Sequence, residues 1–410
     1  MFATLAHAGE VALTLPEVLS LARDNLEVKI ATRGLAAAQA DLLAADHAPL
    51  PQLSAKLSQL DLQHGVGPGN WWSAKRIDKG VGVDWTWERG DKRLWRTEAA
   101  RQAASAARTD LQEVRLQQAL AAQSAYFEVL AAQQRQEDLA AMARSASDLS
   151  QAAARRVAAG DLSRQEADRA AIEADRARGD VDAAHAELAR ARLVLAQLIG
   201  REREALQLRA AGPWPLESSG LTEVSALTHT LDRALQLVPQ RADVQSAASR
   251  VESAQAALAG SRAQRQSDVT WGVSMDHVPG TSTRQMELRL QMPLQWGYQF
   301  EGETARAQAQ LDQARDGLER AQRAAQAEMT RLHAELVAAL SRARRYVQDI
   351  VPRSRSVADK AELAYAKGAL SLTDLLDARR TLRAALMEAS TAHADAAKAQ
   401  MAWQLRTAQP

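Results

Sequence analysis

Residues 286–292 read Met286-Glu287-Leu288-Arg289-Leu290-Gln291-Met292, a strict alternation of apolar and polar side chains. Successive side chains of a strand point to opposite faces, so this period describes a strand with one oily and one wet face. Val81-Gly82-Val83-Asp84-Trp85-Thr86-Trp87 repeats the pattern, as does Val269-Thr270-Trp271-Gly272-Val273-Ser274-Met275-Asp276. Leu53-Ser54-Ala55-Lys56-Leu57 begins in the same phase, which slips before Leu60-Asp61-Leu62, as at a bulge. The spacing predicts strands at about 50–63, 77–89, 267–278 and 283–295. They form two hairpins, with turns marked by Gly65-Val66-Gly67-Pro68-Gly69-Asn70 and by Pro279-Gly280-Thr281-Ser282.

Tryptophan sharpens this reading. Trp71, Trp72, Trp85, Trp87, Trp95, Trp271 and Trp296 lie in or beside the hairpins, seven of the nine in the chain. In outer-membrane barrels such rings gather where the oily band meets the headgroups. The expected lipid-facing residues are Val83, Trp85, Trp87, Trp271, Val273, Met286, Leu288 and Leu290. The competing reading is a soluble sheet whose Trp side chains pack on the helices. Strands of about ten residues cross a bilayer when tilted. Four strands cannot close a barrel, since closure needs about eight; three chains would supply about twelve.

The remainder is helical and duplicated. Thr14-Leu15-Pro16-Glu17-Val18-Leu19-Ser20-Leu21 resembles Thr230-Leu231-Asp232-Arg233-Ala234-Leu235-Gln236-Leu237. Gly90, Thr97 and Ala100 recur as Gly297, Thr304 and Ala307, and Gly160-x-Leu162-Ser163 recurs as Gly368-x-Leu370-Ser371. Anchors in one order at nearly one offset mark a doubled unit of roughly 200 residues. Each copy holds a first helix (about 14–46 and 223–263), a hairpin, a long helix, a tip and a return helix. Between Asp91 and Ala159 there is neither Gly nor Pro, which permits a rod of about 100 Å. Its counterpart, from Glu303 toward Gly368, meets Gly317 and Pro352, where a kink or break is expected. Ser163-x-x-Glu166 and Ser371-x-x-Asp374 are N-terminal caps that restart the helix after each tip, the first a capping box. The boundaries are residues 9–205 for the first repeat, 206–221 for a linker and 222–410 for the second repeat, after a residual signal peptide at 1–8 cut behind Ala6-His7-Ala8.

Composition narrows the function. The 410 residues carry 51 Lys and Arg against 50 Asp and Glu, so no basic footprint for nucleic acid exists. Three Phe and four Tyr are few for ordinary globular cores, and the absence of Cys removes disulfides and thiolate metal sites. No apolar run reaches the length of about 18 residues that a membrane-spanning helix requires. His185-Ala186-Glu187-Leu188 and His333-Ala334-Glu335-Leu336 lack the second His at i+4 of a zinc protease helix. The glycines at 65, 67 and 69 have no following Lys, so they form a turn and no phosphate cradle. No enzyme, cofactor or metal site is expected.

On these residues the chain resembles the TolC family of outer-membrane efflux proteins across about 10–406. The most specific match is Tyr365-Ala366-Lys367-Gly368-Ala369-Leu370-Ser371-Leu372-Thr373-Asp374-Leu375-Leu376-Asp377-Ala378, which is similar to the family's periplasmic tip motif. Gln240-Arg241-Ala242-Asp243-Val244 is similar to the signature that opens the second repeat, with Ala242 in place of Pro. Glu301-Gly302-Glu303 and Gln264–Thr270 resemble the branch serving heavy-metal resistance-nodulation-division pumps. The resemblance implies a mainly α chain that forms a homotrimeric 12-stranded transmembrane β-barrel over a periplasmic α-helical tunnel. It implies an exit duct of a tripartite system that partners a periplasmic adaptor, an inner-membrane pump and outer-membrane lipid, without nucleic acid. Alternatives are a periplasmic coiled-coil scaffold, or the exit duct of a type I secretion or drug efflux system.

The resemblance also assigns sites. Asp374, Asp377, Glu166 and Tyr365 would form the periplasmic gate, and Gly160, Leu162, Gly368 and Leu370 the adaptor-contact tips. Asp374 and Asp377, at i and i+3, share a helix face. Leu162 and Leu370 are expected as exposed apolar contacts. The family's tip Arg is replaced by Leu370, which removes the expected cation partner of Glu166 and leaves Arg164 or Lys367 as substitutes. The linker around Leu206–Leu208 and Pro213-Trp214-Pro215 would lie in the belt around the tunnel.

Overall fold

The computed structural model describes residues 10–58, 63, 77–214, 231–278 and 282–408. Helices dominate because Ala, Leu, Glu, Gln and Arg fill the long segments and lose little side-chain freedom there. They are α1 (Leu15–Ala22), α2 (Leu26–Ala45), α3 (Lys92–Ala158), α4 (Arg164–Ile199), α5 (Ala242–Ala263), α6 (Glu301–Arg345), α7 (Val351–Ala366) and α8 (Leu372–Thr407). The strands are β1 (Val11–Leu13), β2 (Gln52–Ser58), β3 (Asp78–Trp87), β4 (Leu208–Ala210), β5 (Val269–Val278) and β6 (Ser282–Gln291). The chain divides into two compact units, one of Met1–Ala31, Leu111–Gln240 and Arg323–Pro410, the other of Thr32–Asp110 and Arg241–Gln322.

The second of these holds a four-stranded antiparallel sheet in the order β2-β3-β5-β6. Its helical part is joined by apolar residues. Val251, Leu258, Ala307 and Leu311 form a buried cluster. Asp110 fixes α5 to α3 by accepting from Ser246 Oγ at 2.5 Å and from Arg250 Nη2 at 2.6 Å. The expected phase slip at Leu60–Leu62 and both expected turn sequences fall mainly on residues outside the described set; an irregularity does occur in β5, between Asp276 and Val278.

In the other unit, Phe127, Val129, Leu195, Leu208 and Val18 are almost fully buried. Trp214 stacks on Phe127 with centroids 6.3 Å apart. Here β1 and β4 pair in parallel, a ladder too short for any sequence period. Gln133 of α3 closes it from the side, donating to Ala210 O and accepting from Ala210 N at 2.9 Å. Tyr126 donates to Ala211 O at 2.8 Å.

Two expectations about helices are corrected. The first helix, expected unbroken over about 14–46, stops after Ala22 and restarts at Leu26. Asn25 turns the chain: its Nδ2 reaches Gln118 Oε1 and Leu198 O at 3.0 Å each, while its Oδ1 accepts the Glu27 N–H at 2.7 Å. The second correction concerns Gly317, whereas at Pro352 the expected interruption of the regular helix is present. Helix α6 runs through Gly317, and a Cβ there would meet open space. At Pro352 the helix does not end: residues Tyr346–Ile350 widen into a π-turn and α7 continues. Proline lacks an N–H and crowds the carbonyl four residues back, here Gln348, so one inserted residue relieves the strain.

Candidate functional site: a membrane face and two helical tips

Register places the alternating residues of all four strands in common rows. Leu53, Val83, Val273 and Leu288 stand in one row, and Ala55, Val81, Met275 and Met286 in the next but one. Trp85, Trp271 and Leu290 form a third. This face is open: Leu288 is 77 % exposed, Met286 71 % and Trp87 61 %. A continuous oily surface of this extent marks an interaction or membrane face. The predicted lipid-facing residues Val83, Trp85, Trp87, Trp271, Val273, Met286, Leu288 and Leu290 all belong to it by register, although Val273 is only half-exposed. The reverse face carries Ser54, Gly82, Ser274 and Glu287 in one row and Asp84, Gly272 and Arg289 in another. Among the described residues β2 and β6 each keep one unpaired edge.

The tips repeat one device. At the end of α3 the Asp161 N–H bonds Arg156 O at 2.9 Å, and at the end of α7 the Ala369 N–H bonds Ala364 O at 2.9 Å. Gly160 and Gly368 take the left-handed conformation this requires, at φ +82° and +74°. Each following Ser then caps a helix. Ser163 Oγ accepts from Glu166 N and Ser371 Oγ from Asp374 N, both at 3.2 Å. The carboxylates turn back onto the same serines, at 2.8 Å for Glu166 and 2.7 Å for Asp374.

The sequence-predicted tip residues therefore separate. Glu166 and Asp374 are engaged as caps, and Asp377 lies exposed one turn further, with Arg380 feeling its charge. Tyr365 is half-buried in two apolar clusters, its ring 5.8 Å from the Arg156 guanidinium carbon. Leu162 and Leu370 differ from expectation. Both are half-buried, Leu162 against Ala153, Ala170, Leu372 and Leu376, Leu370 against Ala361, Leu375 and Ala378. Each leucine follows a left-handed Gly, and that turn folds it back over the hairpin it closes, a contact that sequence spacing does not reveal. Arg169 of α4 also reaches Thr373 Oγ1 of α8 at 3.3 Å.

Behind the tips, α3, α4, α7 and α8 surround a cavity of about 280 Å³ whose lining includes Met142, Leu149, Leu376 and Leu386. Glu173 pairs with Arg380 at 2.7 Å, and that bond holds its carboxyl below the usual range. Burial pushes Asp138, on the same lining, upward. The two His of the repeated tetrapeptide are apart and employed otherwise: His185 meets Gln136 at 3.2 Å and His333 packs edge-on to Trp403. Among the described residues no acidic and His cluster suits a metal, and no helix is long and apolar enough to cross a membrane.

A four-stranded sheet with one open oily face and one polar face has the alternation of membrane-facing strands. Residues 19–201, a little under half of the chain, match the family described as outer membrane efflux protein. Solved structures agree on the fold. VceC of Vibrio cholerae superposes with a TM-score of 0.75 at 18 % identity, covering 96 % of this chain and 95 % of that one. CusC gives 0.73 at 18 % identity over 100 % and 96 %. The CmeC outer membrane channel of Campylobacter jejuni gives 0.74 at 15 % identity over 96 % and 85 %. A search of curated proteins returns no match.

Proposed function

We propose that the chain is the exit duct of a tripartite efflux system, conducting substrates passively from an inner-membrane pump and its periplasmic adaptor to the exterior. The observation that carries the membrane part is the sheet: one face oily and open, the other polar, with two free edges. In lipid an unpaired backbone group costs several kcal/mol, so the edges must pair with copies of themselves. Three copies close twelve strands, about the number for a water-filled bore. The tips around Gly160 and Gly368 are the adaptor-contact surface, and Asp374 and Asp377 of three copies, with Glu166 and Tyr365 supporting the tip, form the narrow periplasmic end. A resistance-nodulation-division pump with heavy-metal cations as cargo is the finer reading. It is supported by the likeness of Glu301-Gly302-Glu303 and Gln264–Thr270 to that branch.

The test is a comparison of faces. Leu288→Arg or Leu290→Arg should remove about 2–4 kcal/mol per chain at the bilayer midplane, whereas Gln291→Arg on the polar face should be tolerated. Detergent-corrected light scattering of the unchanged protein should give a trimer. A monomer at every concentration, or equal loss of assembly from both faces, overturns the reading.

A further inference from the structure

The wet face of the sheet bears charge, yet three positions of its two central strands carry no side chain there. Gly80 and Gly82 of β3 and Gly272 of β5 all point to it by register. Glycine inside a strand costs roughly 0.5–1 kcal/mol and offers nothing to pack. None of the three has a positive φ, so the backbone does not call for glycine at these positions.

Neighbouring side chains do. Asp84, Gly272 and Arg289 stand in one row across β3, β5 and β6. Asp84 and Arg289 thus start two strand spacings apart, about 9–10 Å. They nevertheless meet, with Arg289 Nη2 donating to Asp84 Oδ1 at 3.1 Å. Nothing stands between them. A Cβ on Gly272 would lie 2.2 Å from Asp84 Oδ1 and 3.1 Å from Arg289 Nε. The same holds over Gly80, where a Cβ would lie 1.9 Å from Asp276 Oδ1. That aspartate accepts from Ser274 Oγ at 2.8 Å and so lies along its own strand. Between the two, a Cβ on Gly82 would come within 2.8 Å of Ser274 Cβ.

We propose that Gly80 and Gly272 are seats on which Asp276 and the Asp84–Arg289 pair lie flat against the barrel wall, and that these seats set the bore and the charge preference of the exit lumen. The proposal rests on reading the polar face as that lumen. A charge folded onto the wall and paired there neither narrows the bore nor presents an uncompensated field to a passing ion. Three copies repeat each effect around one axis. Arg289 and Asp84 are then the selectivity-determining residues of the exit, and small ions and charged cargo are what they act upon.

Single-channel recording in planar bilayers tests this. Gly272→Ala should lower conductance, because Asp84 and Arg289 must rise from the wall; adding Asp84→Ala to Gly272→Ala should restore it. Arg289→Ala leaves the bore open but uncovers Asp84, and the permeability ratio of potassium over chloride should rise roughly two-fold or more; Asp84→Ala should shift it the other way. If Gly272→Ala fails to assemble, the Arg289→Ala and Asp84→Ala pair still decides, since each only shortens a side chain. Conducting channels with ratios unaltered in both variants overturn the inference alone. An unchanged protein that never conducts overturns the lumen reading and this inference with it.

Discussion

The two long helices of the duplicated chain differ at one place. Helix α3 runs uninterrupted over 67 residues, whereas its counterpart runs 45 residues as α6, widens through the five-residue π-turn at Tyr346–Ile350 and continues 16 residues as α7. Both end in the same glycine turn and the same serine cap. The repeats thus agree where a hairpin must reverse and disagree where nothing requires agreement. A single proline accounts for the difference, and the helix accommodates it by local widening instead of ending. Helical continuity is therefore under stronger constraint here than helical regularity.

The largest effect should come from the residue that holds both long helices alike. Arg406 of α8 is 3 % exposed at its side chain and bridges Glu113 of α3 at 2.9 Å and Glu328 of α6 at 3.1 Å. Arg406→Ala strands two half-buried carboxylates and should lower stability by about 3–5 kcal/mol, read from urea midpoints followed by helical circular dichroism. An effect below about 1 kcal/mol would mean that the two helices do not depend on this clamp. Next comes the proline exchange. Arg144 precedes the first tip glycine by the same interval as Pro352 precedes the second. Arg144→Pro, with no π-turn to receive it, should cost about 3 kcal/mol, while Pro352→Ala should change stability by much less. Equal costs would show that the π-turn is not the proline's accommodation.

The caps should differ less. Ser163→Ala and Ser371→Ala should each cost about 1 kcal/mol, the first somewhat more because Glu166 also receives the Ser163 N–H, at 3.3 Å. Hydrogen exchange of the first turns of α4 and α8 checks it. Smallest is a contrast in pH dependence between α3 and α4. Asp138, raised by burial above 3.8, takes up a proton in the folded state before the unfolded chain does, so acidification through that raised value favours folding. Glu173 is lowered below 4.5 by Arg380, so its contribution stands above that value and fades as pH falls through the folded one. Asp138→Asn and Glu173→Gln should tilt the stability curve in opposite senses on going from neutral to acid pH, by less than about 1 kcal/mol each.

Much of this fold is legible in the sequence because period and punctuation are local. Alternation at 81–87 and 286–292 marks strands whichever partners they find, and Gly followed by a capping Ser marks a hairpin tip. What escaped depends on residues distant in sequence. Val11–Leu13 has no period to read, and it becomes a strand only because Leu208–Ala210 lies beside it. The break at Asn25 depends on Gln118 and the Leu198 carbonyl, 93 and 173 residues away. Leu162 and Leu370 read as exposed because spacing near a tip says nothing of the direction in which the turn folds them. Gly272 reads as a weak point in a strand until Asp84 and Arg289, on either side, are seen to cross it.

The unpaired edges of β2 and β6 also bear on how the protein is made. The helical hairpins need only neighbours in the same chain and form within microseconds to milliseconds of release, since their contacts are local. If its edges pair with copies of the chain, as proposed above, the sheet completes its ladder only when other chains arrive, so its closure has a reaction order above one and slows steeply as chains become scarce. Halving synthesis should therefore reduce finished channels by more than half. During that wait the strand carrying Leu288 and Leu290 is the part of the chain most prone to pair with the wrong partner, and an escort that covers oily strands would raise the yield more than one that assists helices.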